Sequence, residues 1–271
     1  MNATARSVAA ATPRGAGARL RALRGARRLS QLELSMRVGV SQRHLSWIET
    51  GRANPSREML LALLDALDAP LAERNDALLA AGYAPAFAQR ALGAPDMQPV
   101  RDAIHHLLAA HDPAPALVLD ASWNVLQVNG GMRRLAGLLG VDPAILDGPL
   151  NMLAATLAPG SFGELFVNRE EVRHDVWQRA LREAPHVPAL AHLVEELRPH
   201  APPAPPPGHA GRAHAAPLLL ARLASPQGEL AFFSTFTTFG APLDVTVASL
   251  RVEHLFPADA ATRAALGAAP G

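Results

Sequence analysis

The sequence predicts an α+β protein, with an all-helical N-terminal domain followed by a domain of antiparallel sheet and helices. Helix-capping residues and apolar residues at helical spacing occur throughout residues 14–82. Strand-like runs lie near residue 116 and again after residue 218, with helical patterns between them. Composition supports about two domains, because 271 residues with 49% hydrophobic side chains can form real cores. The predicted boundaries are a disordered tail at 1–13, a helical domain at 14–82, a linker at 83–99 and the second domain at 100–266.

Two short helices joined by a tight turn are predicted between residues 30 and 52. Ser30 followed by Glu33 makes a capping box, and Ser41 is a second helix-starting residue. Gly39 supplies the backbone freedom that the turn requires. The apolar residues spaced to meet in one small core are Leu34, Val38, Val40, Leu45 and Ile48. This pattern predicts a helix-turn-helix, whose second helix enters the major groove of DNA.

The face of the second helix opposite this core is polar. Gln42 and Arg43 lie at its start, where arginine can pair with guanine and glutamine with adenine. Gln31 and Arg52 are better placed for the phosphate backbone, and His44 suits either role. The alternative is that these residues form only the solvated face of a helical bundle. The predicted DNA-contacting residues are Gln31, Ser41, Gln42, Arg43, His44, Ser46, Trp47, Thr50 and Arg52.

Charge is divided unevenly along the chain. Residues 1–58 contain eleven arginines and three acidic residues, a formal charge of +8, whereas residues 59–271 carry −7. A basic N-terminal region suits a polyanionic partner such as DNA.

Residues 18–68 resemble the helix-turn-helix domain of the xenobiotic response element (XRE) family of bacterial regulators, which is related to phage repressors. The resemblance is carried by Leu29–Gln31, Gly39–Ser41, Ile48–Arg52 and Asn54–Ser56. It implies a lambda-repressor-like domain in which Gln31, Gln42, Arg43 and Arg52 contact DNA. Trp47 departs from the family, where smaller or polar residues are commoner. It either packs on a sugar or thymine methyl group, or folds back on its own helix.

Two more helices complete five in this domain. Pro55 and Ser56 begin a fourth helix, whose inward residues are Met59, Leu60, Leu63, Leu64 and Leu67. Residues 70–81 read as the fifth.

The second domain begins with a helix at 100–111, followed by short strands at 116–120 and 123–129. Asn129 is placed to cap a helix that runs through Leu139. Further predicted elements are helices at 162–184 and 187–198, an exposed proline-rich loop at 199–217, and strands at 218–224, 229–239 and 246–256. Strands at both ends with helices between them favour an antiparallel sheet closed over a helical layer.

Residues 100–266 resemble the ligand-binding domain of MmyB-like regulators, a PAS-like fold attached to an XRE-type helix-turn-helix. The matching stretches are Pro115–Asp120, Trp123–Val125, Asn129, Phe232–Thr235, Thr238–Gly240, Pro242–Thr246 and Phe256–Asp259. The resemblance implies a small apolar ligand, a fatty acid or similar molecule, held between sheet and helices. Candidate pocket residues are Trp123, Phe162, Phe166, Phe232, Phe236 and Phe239, with Arg173 or a hydroxyl group for a carboxylate. The alternative is that these aromatic residues are ordinary core.

Other functional classes are disfavoured. The sequence has no nucleophile elbow and no phosphate-binding glycine loop, so we expect no enzyme. His105, His106 and His111 lack the spacing of three or four that two metal ligands on one helix face require. The chain contains no cysteine, which excludes disulfides, thiol redox switches and cysteine-held metals. It also lacks a long apolar run, so we expect a cytoplasmic protein without a membrane segment.

The sequence therefore predicts a transcriptional regulator that binds a double-stranded DNA operator as a homodimer and senses a small apolar ligand, with no cofactor. In one alternative, the second domain is a ligand-free module for dimerisation or for docking a protein partner. In another, it holds haem or flavin, an option that the absence of cysteine and the scattered histidines disfavour.

Overall fold

The computed structural model describes residues 15–203 and 218–267. The predicted tail at 1–13 and most of the predicted proline-rich loop lie outside these residues. The chain forms two compact units. The first contains the residues up to Arg90 together with Pro242–Ala248, and the second contains Ala91–Ala241 and the residues from Ser249 onward. The domain boundaries drawn from the sequence stay a prediction.

The first unit contains the five predicted helices. They are α1 (Ala16–Ala26), α2 (Gln31–Val38), α3 (Gln42–Glu49), α4 (Arg57–Ala66) and α5 (Leu71–Ala80). Ser30 and Glu33 form the expected capping box at the start of α2. Gly39 ends α2 in the left-handed conformation, with φ 74°, which glycine adopts without steric cost. Ser41 then caps α3 by accepting a hydrogen bond from the His44 backbone N–H.

The core of this unit lies where its helices meet. Its fully buried residues include Leu20 of α1, Leu34 of α2, Leu45 and Ile48 of α3, and Leu63 of α4. The backbones of α1 and α3 approach so closely at Gly17 that a Cβ atom there would overlap the carbonyl oxygen of Ile48. Gly17 therefore sets how α3 packs against α1.

The second unit is built around a five-stranded antiparallel sheet with the order β2-β1-β5-β4-β3. The strands are β1 (Ala116–Leu119), β2 (Val125–Val128), β3 (Ala221–Ser225), β4 (Gly228–Thr238) and β5 (Arg251–Pro257). The remaining helices of the chain are α6 (Gln98–His111), α7 (Gly130–Leu138), α8 (Met152–Leu157), α9 (Arg169–Glu183), α10 (Pro188–Leu197), α11 (Val245–Ser249) and α12 (Ala260–Ala265). The predicted α+β class, with a helical N-terminal part and a sheet domain, is confirmed.

The register of the sheet assigns its residues to two faces, because directly paired residues of an antiparallel ladder point to the same side. Leu117, Glu253 and Phe236 pair in succession across β1, β5 and β4, and we call their side the Leu117 face. Val118 and Val252 belong to the opposite side, where they form a core with residues of α6 that include Ile104. The Leu117 face packs on α7 through a second core, which contains Leu117, Leu119, Leu135 and Phe232.

One side chain links α6, β1 and α7. The amide oxygen of Asn129 accepts hydrogen bonds from the backbone N–H groups of Ala116 and Met132, at 2.8 and 2.9 Å. Its amide nitrogen donates to the carbonyl oxygens of Leu108 and Ala114, at 3.3 and 2.7 Å. Asn129 thus caps α7, as predicted, and also satisfies backbone groups of two other segments.

Two predicted elements differ from the structure. The helix predicted at 162–184 begins only at Arg169, because Phe166 pairs with Leu223 as an isolated β-bridge and so lies in extended backbone. The strand predicted at 246–256 begins at Arg251. Residues 245–249 are helical instead, and the Asp244 side chain accepts a hydrogen bond from the Thr246 backbone N–H at the start of this turn.

No helix within residues 15–203 and 218–267 combines the length and the apolar composition that a membrane span requires.

Candidate functional site

Helix α3 is fixed in the first unit by its apolar face and by a buried ion pair. Leu45 and Ile48 are buried in the core. Glu49, the last residue of α3, has a side chain that is only 1% exposed. It accepts side-on hydrogen bonds from Arg24 of α1, with Nε to Oε1 at 2.6 Å and Nη2 to Oε2 at 2.8 Å. Gln31 of α2 donates a third hydrogen bond to Oε2 at 2.9 Å.

This arrangement joins the first three helices through one carboxylate. Burial by itself would raise the pKa of Glu49. The hydrogen bonds from Arg24 and Gln31, together with the charges of Arg24 and Arg21, outweigh burial and hold that pKa below its ordinary value. Glu49 therefore stays ionised and orients α3. The sequence analysis missed this pair, because Arg24 and Glu49 are 25 residues apart and neither carries a local signal of pairing.

The start and outer face of α3 present polar side chains to solvent. Gln42 and Arg43 are exposed in the first turn, and Trp47 is 38% exposed one turn later. The Arg43 guanidinium carbon lies 4.7 Å from the centre of the Trp47 ring, within cation–π range. Trp47 is thus not folded into the core, since it supports Arg43 on the helix surface. Arg52 is exposed just beyond α3.

The other predicted DNA-contacting residues have local structural roles as well. The Ser41 hydroxyl caps α3, and the Thr50 hydroxyl donates to the Ser46 carbonyl oxygen at 2.7 Å. His44 and Ser46 are half-buried. The Gln31 amide nitrogen donates its hydrogen bond to Glu49, so Gln31 links α2 to α3.

The structure distributes the predicted pocket residues over several environments. Phe232 is fully buried in the core of the Leu117 face, and Phe162 and Phe166 pack against that core with their rings edge to face. Trp123 is buried in a neighbouring core with residues of α8, α9 and α10. Phe239 packs instead with the α6 core on the opposite side of the sheet. The seven residues are therefore not all brought to one place.

Arg173, the predicted carboxylate-binding residue, makes two main-chain contacts. Its Nη1 donates to the Leu157 carbonyl oxygen at 3.1 Å, and its Nη2 donates to the His200 carbonyl oxygen at 2.6 Å. These contacts tie α9 to the end of α8 and to the segment after α10, and they occupy both terminal nitrogens.

A polar group around Trp123 was not found from the sequence. The Trp123 indole N–H donates to Glu183 Oε2 at 2.7 Å, and Arg251 Nη1 donates to Glu183 Oε1 at 2.9 Å. Arg179 lies one helical turn before Glu183 on α9, and its guanidinium carbon is 4.9 Å from the centre of the Phe236 ring. We call Trp123, Arg179, Glu183, Phe236 and Arg251 the Trp123 cluster. Its members come from the turn between β1 and β2, from α9, from β4 and from β5, so no sequence spacing could reveal the whole group.

Among the residues that the structure describes, no group of three or more histidine, aspartate or glutamate side chains is arranged to hold a metal ion.

Two families of protein domains match the chain. The family described as "Helix-turn-helix domain" matches residues 16–77, and the family described as "MmyB-like transcription regulator ligand binding domain" matches residues 100–269. No curated protein matches the chain.

Two solved structures are similar to parts of the chain. The first is the clp gene regulator ClgR from Corynebacterium glutamicum, with 28% identity, 38% of this chain and 97% of that chain covered, and a TM-score of 0.23. The second is an RNA-binding light-oxygen-voltage receptor, with 14% identity, 92% of this chain and 60% of that chain covered, and a TM-score of 0.27. Because both TM-scores are low, the assignment rests on the two domain families.

The family of ligand-binding domains alone covers more than half of the chain, and the helix-turn-helix family covers α1 to α4 and most of α5. The chain therefore belongs to the MmyB-like transcription regulators, with a helix-turn-helix domain followed by the ligand-binding domain of that family.

Proposed function

We propose that this regulator binds operator DNA as a homodimer through α3, and that a small apolar ligand, a fatty acid or similar molecule, in the C-terminal domain changes its affinity for DNA. The DNA-binding part of this proposal rests on the surface of α3. Gln42, Arg43 and Trp47 lie exposed at the start of a helix whose opposite face is fixed by Leu45, Ile48 and Glu49.

Direct readout by α3 follows from its chemistry. The Arg43 guanidinium has the planar fork that pairs with guanine O6 and N7, and the Gln42 amide fits adenine N6 and N7. Stacking on Trp47 limits the conformations of Arg43 before DNA arrives, which lowers the entropy lost on binding. Exposed Arg52 suits phosphate groups, and so does the side of the Gln31 amide that faces away from Glu49. Such phosphate contacts position the helix without reading sequence.

A dimer explains how so short a helix selects an operator. Two copies related by two-fold symmetry read two half-sites about 10 base pairs, or roughly 34 Å, apart. The basic N-terminal region adds an attraction to phosphate that weakens as salt rises.

Ligand sensing is supported by the family of the C-terminal domain and by its apolar interior. The Leu117 face of the sheet packs on helices through Leu and Phe side chains, which is the kind of surface that lines apolar ligand sites. The ligand acts on DNA binding if it binds one conformation of the dimer more tightly than another.

Two measurements test this function. The first is selection of operators from random DNA, followed by salt-dependent titration and determination of the mass of the protein in the complex. Selection of paired half-sites by a dimer supports the proposal, and equal binding to all sequences contradicts it. As a control, Arg182→Ala, an exposed arginine on α9, should leave operator affinity unchanged.

The second measurement is denaturing extraction of the purified protein, with mass spectrometry of any small molecule released. A stoichiometric apolar compound that alters operator affinity when added back supports the sensor. A protein that yields no such compound, binds no amphiphile and still dimerises would instead be a dimerisation or partner-docking module.

A further inference from the structure

Arg251, the first residue of β5, lies within cation–π range of two aromatic rings. Its guanidinium carbon is 4.9 Å from the centre of the Trp123 ring and 5.7 Å from the centre of the Phe236 ring. Its side chain is 16% exposed. The guanidinium group is therefore largely removed from solvent and lies beside two aromatic side chains.

One edge of Arg251 is bound and the other is not. Nη1 donates to Glu183 Oε1, whose second carboxylate oxygen accepts from the Trp123 indole. Nε and Nη2 are buried and have no hydrogen-bond partner among the residues that the structure describes. Buried donors of a charged group nearly always have a partner in folded proteins, because desolvation without compensation is costly.

The unpartnered edge of the Arg251 guanidinium suits one class of hydrogen-bond acceptor. Nε and Nη2 form the side-on fork of arginine, and Arg24 uses the same two atoms to bind both oxygens of Glu49, at 2.6 and 2.8 Å. This geometry matches a carboxylate, whose two oxygens accept the two parallel N–H bonds.

The backbone at Trp123 is held in a strained conformation. Its φ is 69°, a left-handed value that is unfavourable for a bulky side chain. The Asp120 carboxylate maintains this turn by accepting hydrogen bonds from the backbone N–H groups of Ser122 and Asn124, at 2.8 and 2.9 Å. Strain of this kind is concentrated at functional sites, and here it holds the indole against both Glu183 and Arg251.

The surrounding charges are compatible with an incoming anion. Arg179 supplies a second positive charge beside Phe236 and Trp123, and it is paired with Asp175 at 2.8 Å. On the same sheet face, burial raises the pKa of Glu253 despite its hydrogen bond to Ser234, so this carboxyl group repels an anion less than an exposed one would. Phe236 is 38% exposed, which gives access to the cluster from solvent.

We propose that Arg251 anchors the acidic end of the ligand, with a carboxylate paired side-on to Nε and Nη2 beside Trp123 and Phe236. This inference rests on the proposed ligand-sensing function and specifies its chemistry: the ligand is an amphiphilic monocarboxylic acid. The acid group is read by the Trp123 cluster, and Arg173 serves only to tie helices together.

The test compares three probes on the delipidated full-length chain: dodecanoate, methyl dodecanoate and dodecan-1-ol. All three carry the same apolar chain, but only dodecanoate has a charged carboxylate. We expect the wild-type protein to bind dodecanoate at least about tenfold more tightly than the two neutral probes, as measured by calorimetry and by the shift in melting temperature.

Substitutions of Arg251 then separate charge from geometry. Arg251→Lys keeps the positive charge but removes the side-on fork, and we expect it to weaken dodecanoate binding by about tenfold while leaving the neutral probes unaffected. Arg251→Met should reduce dodecanoate binding to the level of the alcohol. The matched control is Arg222→Lys, a half-exposed arginine on β3 whose side chain points to the opposite face, and it should bind all three probes like the wild type.

Failure of the anchor is distinguishable from failure of the sensor. Equal binding of all three probes by the wild type, unchanged in Arg251→Lys, would overturn the anchor and leave the apolar sensor intact. If none of the three probes binds, both the proposed sensing of aliphatic amphiphiles and the proposed anchor are overturned. The comparison of probes on the wild type needs no substitution, so it remains decisive even if Arg251→Met does not fold.

Discussion

Arg24 and Glu49 form a side-on ion pair, with 2.6 and 2.8 Å between donor and acceptor atoms, that connects the first helix of the DNA-binding unit to the end of α3. Arg24 Nη1 also donates to the Leu29 carbonyl oxygen at 2.7 Å, so the same side chain fixes the segment that leads into α2. The position of α3 thus depends on one buried carboxylate as well as on apolar packing.

Replacement of Glu49 by glutamine should destabilise the first unit by about 3–5 kcal/mol, because it leaves the Arg24 charge without its partner in a buried place. Chemical denaturation of the full chain measures this change. Glu58→Gln, at an exposed position of α4, is the control and should change stability by less than about 1 kcal/mol. A loss for Glu49→Gln no larger than that of the control would contradict the structural role of the pair.

The same pair predicts a pH dependence. Since the folded state holds the pKa of Glu49 below its ordinary value of 4.5, its stabilisation is fully present above that pH and is lost as the pH falls below it. The difference in unfolding free energy between wild type and Glu49→Gln should therefore shrink from pH 7 toward pH 3. A constant difference over this range would show that folding does not lower the pKa of Glu49.

Gly17→Ala should weaken operator binding and lower stability, because the added methyl group would overlap the Ile48 carbonyl oxygen and push α3 away from α1. Gly25→Ala is a matched control on the same helix. A Cβ atom there has no neighbour within 4 Å, and alanine favours helix over glycine by about 1 kcal/mol. Thermal melting and operator titration should therefore separate the two variants, and similar behaviour of both would argue against tight packing at Gly17.

Arg43 and Arg52 should differ in what they contribute to DNA binding. Arg43→Ala is expected to cost about 1–3 kcal/mol on the selected operator and to relax preference at one base pair. Arg52→Ala should weaken operator and random DNA alike and reduce the slope of log affinity against log salt by about one. Titration of both variants on both DNAs at several salt concentrations checks this, and equal losses everywhere for the two variants would contradict it.

His254 should make the second unit less stable in acid. Burial, and then the charge of His111, lower the pKa of His254 below its ordinary value of 6.5, and the two rings lie 4.7 Å apart, edge to face. The neutral form is therefore favoured in the folded state, and stability falls as the pH drops below about 6.5 and through the lower folded-state pKa. Chemical denaturation at pH 7.5 and at pH 5.5 should show a loss for the wild type that is smaller in His254→Phe.

The control for this effect is His106→Gln, at an exposed position of α6. It should keep the pH dependence of the wild type. If His254→Phe kept it too, other groups would be responsible.

The sequence predicted those features that depend on neighbouring residues. Ser30 with Glu33, Gly39 and Ser41 mark helix ends within a few positions, and the structure has these ends as expected. Residues 246–249 were wrongly read as strand, because valine favours strands, whereas the Asp244 side chain caps a helical turn here.

The sites depend on distant residues, which limited their prediction. Gln42 and Arg43 follow from a local motif, so the sequence alone suggested them. Arg251 and Trp123 are 128 positions apart in the sequence and meet through the folding of the sheet. Aromatic composition therefore pointed to the two aromatic members of the Trp123 cluster but not to its charged members.

Asn129 also bears on the chemical lifetime of the protein. An asparagine followed by glycine is prone to deamidation, because the next backbone nitrogen can attack the side-chain carbonyl and release ammonia. Here Gly130 is that next residue, but all four hydrogen bonds of the Asn129 amide hold it in place at the start of α7. Folding therefore protects Asn129 from deamidation. In an unfolded chain, Asn129 would be converted to an aspartate, whose carboxylate cannot donate to Leu108 and Ala114.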